Sequence, residues 1–180
     1  MKLFVLYHSL LLTLLIINCS NQQEQSATNT KGKVAPVSVS DIKLLNEQQL
    51  QELVAQRNGK GLFLNIWATW CLPCREEFPD LVKLAYTFSD KNVEFVALSV
   101  DYPDEIESKI LPFLQKNPLN YSLYVQDFRD KEQAINFLNE QWSGALPATF
   151  IYDTSGRQQH FLLGQHSYED FYEVMKTLFD

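Results

Sequence analysis

A chain of 180 residues is long enough for one domain with an appendage. With 46% hydrophobic and 21% charged residues it has ordinary globular composition and enough apolar side chains for a full core. The formal net charge of −7, from 15 Lys and Arg against 22 Asp and Glu, argues against a nucleic-acid binder, because phosphate neutralisation needs clustered cations.

The first eighteen residues differ from the rest. Lys2 precedes an apolar stretch from Leu3 to Ile17, the pattern of a secretory signal over residues 1–18. Ile16-Ile17-Asn18-Cys19 then resembles a bacterial lipobox, with Asn18 in place of the usual small residue, which makes Cys19 the expected lipidated N-terminus. An uncleaved anchor is the alternative, although the apolar stretch is shorter than the roughly 20 residues that span a bilayer. Either route exports the chain to an oxidising compartment. Residues 19–33 are Asn, Gln, Ser, Thr and Lys with almost nothing apolar, which predicts a flexible linker. The domain is expected over residues 34–180.

Residues 37–45 predict a short strand. Asn46 with Gln49 three residues on forms a capping-box signature for a helix with Leu50, Leu53 and Val54 inward, ending at Asn58-Gly59. The run 62–68 is almost wholly apolar and suits a central strand buried on both faces. Residues 71–89 carry apolar side chains three to four apart, so a helix follows at once. Pro73 fits its first turn, while Pro79 removes a bond to the Arg75 carbonyl and is expected to kink it. A second buried strand over 93–100 completes a right-handed strand–helix–strand crossover, hence a parallel pair. A helix from Asp101 with Ile106, Ile110, Phe113 and Leu114 inward, a strand over 121–125 and a short helix over 130–139 come next. Residues 146–152 and 159–163 pair as a hairpin across the turn Asp153-Thr154-Ser155-Gly156, and Ser167 caps a last amphipathic helix. Strands that first alternate with helices and then form a hairpin imply an α/β fold.

Two of the three cysteines, Cys71 and Cys74, are separated by two residues at the start of a predicted helix. Thiol–disulfide exchange needs a thiolate nucleophile and a second thiol to resolve the mixed disulfide. Cys71 lies where unpaired N–H groups and the helix dipole favour negative charge, and Cys74 lies one turn further inside. Cys71 is therefore the expected nucleophile and Cys74 the resolving thiol. A stapling disulfide is the bland alternative, but a bridge closing so short a loop stabilises little. A zinc site needs four ligands, and besides the two thiols only His160 and His166 remain in the mature chain.

Trp67-Ala68-Thr69-Trp70-Cys71-Leu72-Pro73-Cys74-Arg75-Glu76-Glu77-Phe78-Pro79 resembles the signature of the TlpA/ResA-like branch of the thioredoxin superfamily, whose members are membrane-tethered extracytoplasmic thiol–disulfide oxidoreductases. The resemblance implies a thioredoxin-like fold, a central mixed β-sheet flanked by helices, with a TlpA-type helix-strand insertion for which residues 100–126 are the candidate. It implies that Pro147, after Leu146, is a cis-proline facing the Cys71–Cys74 disulfide, with neighbouring backbone free to pair with a substrate strand. Typical thioredoxins carry a buried Asp where this chain has Asn65, which cannot titrate. Glu77, one turn beyond Cys74, matches a glutamate with which this branch modulates its cysteines, whereas Glu76 points elsewhere and is expected to be solvated. Trp70 is expected beside the sulfurs, shaping the contact surface. Gly164 either lets a loop approach the site or is a plain turn glycine.

These readings converge on an envelope protein held by an N-terminal lipid anchor, working as a monomer without cofactor, metal or nucleic acid. Its expected substrates are envelope proteins bearing thiols or disulfides. Reduction of a specific partner, apocytochrome c being one possibility, requires recharging by a membrane electron donor. A disulfide oxidant is the mirror alternative, since direction depends on relative potentials. A Cu(I)-binding module built on the two soft thiolates is a third reading.

Overall fold

In the computed structural model, which describes residues 38–180, the apolar run after Lys60 becomes strand β2, Gly61–Trp67, buried at all seven positions. The signal, linker and Cys19 readings lie outside the described residues. β2 is enclosed because it sits inside a six-stranded sheet. The other strands are β1 (Lys43–Leu45), β3 (Val93–Ser99), β4 (Ser122–Gln126), β5 (Ala148–Tyr152) and β6 (Gln158–Leu163), in the order β1-β4-β3-β2-β5-β6. β2 pairs parallel with β3 and antiparallel with β5, β1 and β3 both pair parallel with β4, and β5–β6 is the antiparallel hairpin. The sheet is therefore mixed.

Side chains alternate across β2 and meet different helices on the two faces. Leu62, Leu64 and Ile66 join Leu50 and Val54 of α1 (Glu47–Ala55) and Ala134 and Leu138 of α4 (Lys131–Leu138) in one apolar cluster. On the other face Phe63 stacks on Phe95 at 4.8 Å and meets Phe171 of α5 (Tyr168–Phe179) edge-on at 5.4 Å. Trp67, also on this face, packs on Phe78 of α2 (Leu72–Thr87) at 5.0 Å. Helices thus cover both faces.

Local signals account for most element ends. Asn46 accepts from the Gln49 backbone while the Gln49 side chain accepts from the Asn46 N–H, so the expected capping box opens α1. Ser167 and Asp170 do the same for α5. α2 runs unbroken past Pro79. The helix expected to reach Asn58 stops at Ala55, because Arg57 turns inward. Its guanidinium donates to the Leu53, Lys60 and Gly61 carbonyls and pairs with Glu94 at 2.8 Å.

Two expectations need correction. Of the strand expected over 37–45, the described part is a 3-10 turn, Val39–Asp41, followed by β1. The Asp41 carboxylate accepts from the Ser38 N–H and hydroxyl, which closes a turn where the apolar alternation predicted extension. The helix expected from Asp101 is composite: a 3-10 turn (Pro103–Glu105), a π turn (Ile106–Ile110) and α3 (Leu111–Lys116). Pro112 has no N–H for the Ser108 carbonyl, and just before it the Leu111 N–H reaches back to Ile106. The proposed insertion, residues 100–126, comprises this helical stretch and β4, which enters the sheet between β1 and β3.

Phe63 is fully enclosed between Phe95 and Phe171. Phe63→Ala should lower unfolding free energy by about 3–5 kcal/mol, measured by urea denaturation. A loss below about 1 kcal/mol would mean that the aromatic layer is not the core contact described.

Candidate active site

β2 ends at Trp67, and the turn Ala68-Thr69-Trp70 delivers Cys71 to the N-cap of α2. The Cys71 sulfur accepts from the Cys74 N–H at 3.3 Å, and the Cys71 N–H donates to the Ala68 carbonyl at 3.2 Å. Cys71 and Cys74 form a disulfide with S–S 2.01 Å and Cα–Cα 5.3 Å. Cys74 is enclosed, and Cys71 retains 6% exposure at the helix tip.

The turn is held from below by Asp101, a fully buried residue just beyond β3. Its carboxylate accepts from the Thr69 N–H at 2.8 Å, the Thr69 hydroxyl at 2.7 Å and the Ser99 hydroxyl at 2.7 Å. Sequence reasoning placed Asp101 at a helix start. A carboxylate at the end of a buried strand parallel to β2 is the signal that could have found it.

Glu77 lies one turn after Cys74 and is 1% exposed. Oε1 accepts from Asn65 Nδ2 of β2 at 3.0 Å, and Oε2 accepts from the His166 backbone N–H at 3.3 Å. Asn65 also donates to the Thr149 hydroxyl of β5 at 3.0 Å. Burial drives the Glu77 pKa up to about 7; the two donors oppose the shift, and the Asp80 carboxylate adds to it. The buried Tyr121 hydroxyl is likewise held protonated by burial, with a smaller push from Glu77. Glu76 faces solvent.

The Leu146–Pro147 peptide bond is cis, as the resemblance implies. Leu146 packs on the cluster containing Trp67, Cys71, Cys74 and Phe78. Gly164, at φ +88°, donates its N–H to the Pro147 carbonyl at 2.9 Å, so the loop before α5 approaches this strand through a conformation that favours glycine. Trp70 does not enter the core: it is 64% exposed, and Leu72 is 59% exposed. The structure thus brings Cys71, Cys74 and Leu146 into one apolar cluster, with Pro147 following Leu146, Glu77 buried against Asn65 of β2 and the His166 backbone, and Trp70 as a surface flank. His166, considered as a metal ligand, instead supplies a backbone donor to Glu77. Among the described residues no group of three or more His, Cys, Asp and Glu side chains is placed to hold a metal ion.

Comparison with known proteins agrees with this geometry. Residues 21–160 match the AhpC/TSA family. Thiol-disulfide oxidoreductase ResA of Geobacillus thermodenitrificans is 27% identical over 147 residues, covering 82% of this chain and 77% of that one. ResA of Bacillus thuringiensis is 31% identical over 120 residues, covering 67% and 64%. Among solved structures, a thioredoxin-family thiol:disulfide interchange protein from Chlorobium tepidum aligns with a TM-score of 0.57 at 26% identity, covering 69% of this chain and 83% of that one. With a cysteine pair closed at a helix tip, a buried carboxyl behind it and these relatives, the chain belongs to the AhpC/TSA family and is a TlpA/ResA-like thiol–disulfide oxidoreductase of the thioredoxin superfamily.

Proposed function

We propose that the protein reduces disulfides of specific polypeptides in the cell envelope, where Cys19 anchors it by a lipid. The observation that carries this reading is the Cys71–Cys74 disulfide at the tip of α2 with Glu77 buried one turn behind it. In the dithiol state the Cys71 thiolate attacks a partner disulfide, forming a mixed disulfide and releasing one partner thiolate, which takes up a proton. Cys74, deprotonated, then attacks the Cys71 sulfur, closing the intramolecular disulfide and releasing the second partner thiol. Two electrons pass from the dithiol to the partner. The helix N-terminus stabilises the attacking thiolate, and the 6% exposure of Cys71 against 1% for Cys74 orders the two roles.

Glu77 supports the reducing direction. A carboxylate near the thiols disfavours their thiolate forms, and a less stabilised reduced state is a stronger reductant. With a pKa near 7, Glu77 also serves as the proton acceptor for Cys74 during resolution. Trp70, Leu146 and Pro147 form the contact surface for the partner strand. Apocytochrome c is one substrate class that fits, and a membrane electron donor returns the disulfide to the dithiol.

Trapping tests the assignment. Cys74→Ser should accumulate mixed disulfides with envelope proteins through Cys71, released by dithiothreitol, and the adducts identify the substrates. Adducts formed by Cys71→Ser through Cys74 would reverse the roles.

Glu77 also predicts a pH dependence. The unfolded chain releases this proton near 4.5 and the folded protein near 7, so the folded state binds more protons between those values. Stability must therefore fall as pH rises from about 4.5 to about 7, by on the order of 3 kcal/mol, and then level. Glu77→Gln removes that component, so its stability relative to the unmodified protein should rise across the same window in urea unfolding of the disulfide form. A constant difference would place the titration elsewhere. In the dithiol form, the same variant should shift Cys71 alkylation to lower pH, because a neutral amide no longer opposes the thiolate; an unchanged profile would remove Glu77 from proton handling.

A further inference from the structure

Trp70 separates two depressions at the surface beside the disulfide. One is an apolar pocket of about 390 Å³ towards α4, whose lining cation, Lys131, lies over the Tyr102 ring at 4.3 Å. The other is an open groove of about 540 Å³ between the active-site turn and the helical stretch 103–116. Its apolar surfaces are Trp70, Leu72 and Phe113, and its cations are Arg75, Lys109 and Lys116, with Glu76 the one carboxylate in its lining. Lys109, Phe113 and Lys116 are four and three residues apart, so they share one helix face. Lys109 is bonded to Glu105, whereas Arg75 and Lys116 make no ion pair among the described residues.

This charge is unexpected in two respects. The whole chain carries −7, yet cations outnumber carboxylates at the nucleophile's flank. Arg75 also sits in the first turns of α2, where the helix dipole favours an anion and opposes a cation. Neither the composition nor the helix accounts for it.

We propose that this groove docks an acidic, partly apolar segment of the polypeptide that exchanges disulfides at Cys71. The proposal rests on the exchange reading above and names the chemistry of the partner. The groove is continuous with the reaction centre, since Trp70 and Leu72 flank Cys71 in the chain. A segment whose carboxylates meet Arg75 and Lys116 and whose apolar side chains lie on Phe113 would hold its cystine at the α2 tip. Such complementarity acts on encounter and register more than on sulfur attack itself. The aromatic and aliphatic surfaces of Trp70, Leu72 and Phe113 suit a polypeptide better than a free phosphate.

The test uses the reduced protein and disulfide-bonded peptides of one sequence in which the residues around the cystine are Glu, Gln or Lys. Second-order rates of dithiol oxidation are followed by tryptophan fluorescence at low and high salt. At low salt the Glu peptide should react roughly tenfold faster than the Gln peptide and the Lys peptide slowest, with the spread collapsing near 1 M salt. Lys116→Glu should bring the Glu-to-Gln ratio towards one. Lys60→Glu, the same charge change at the opposite end of β2, should leave that ratio as it is. Equal rates for the three peptides, or an equal loss in both variants, overturns the docking proposal while leaving exchange intact. Failure to react with any peptide or with a small aromatic disulfide overturns the exchange reading and the docking proposal with it.

Discussion

The packing behind the cysteine pair depends on the enclosure of one carboxyl group, that of Glu77. Glu77 projects from α2 onto the face of β2 that also carries Phe63 and Trp67, and it is closed off by the loop before α5. An isolated ionised carboxylate in such surroundings would be strongly disfavoured, and the folded protein meets that cost in two ways. Asn65 and the His166 backbone each donate one hydrogen bond, and the proton stays on until about pH 7. The same bonds tie three elements together, so the group that titrates also links α2, β2 and the loop before α5. Asn65 gains its meaning here: it cannot carry charge itself, but its amide bridges Glu77 and Thr149 across two strands.

A second buried carboxylate does a different task. Asp101 receives three donors, two of them from Thr69, and so fixes the turn that presents Trp70 and Cys71. It holds the front of the site, while Glu77 lies enclosed one turn behind Cys74. Because Asp101 follows β3, the parallel neighbour of β2, its position depends on the crossover that brings β3 alongside. The stretch beyond it then forms the far wall of the cationic groove and returns as β4.

Much of this was legible from residue order. The caps at Asn46 and Ser167, the buried run of β2, the crossover to β3 and the hairpin at Asp153 rest on signals spanning a few residues, and each occupies the expected place. The early end of α1 and the turn before β1 were less legible. There a single side chain, Arg57 or Asp41, captured backbone groups and overrode apolar periodicity. Trp70 was expected beside the sulfurs, shaping the contact surface, with a core position as the alternative; an aromatic side chain in a turn can face core or solvent, and its neighbours leave this one exposed.

The sequence by itself determined most of the secondary elements, the cysteine pair at a helix start and the substitution of Asn65 for a titratable residue, because these depend on local spacing and residue chemistry. Only the tertiary structure decided that Asn65 and His166 are the partners of Glu77, that Asp101 anchors the Cys71 turn, and that Arg75 shares a groove with Lys109 and Lys116. Those contacts join residues far apart in the chain, up to 89 positions for Glu77 and His166, so they arise from how the sheet brings its elements together.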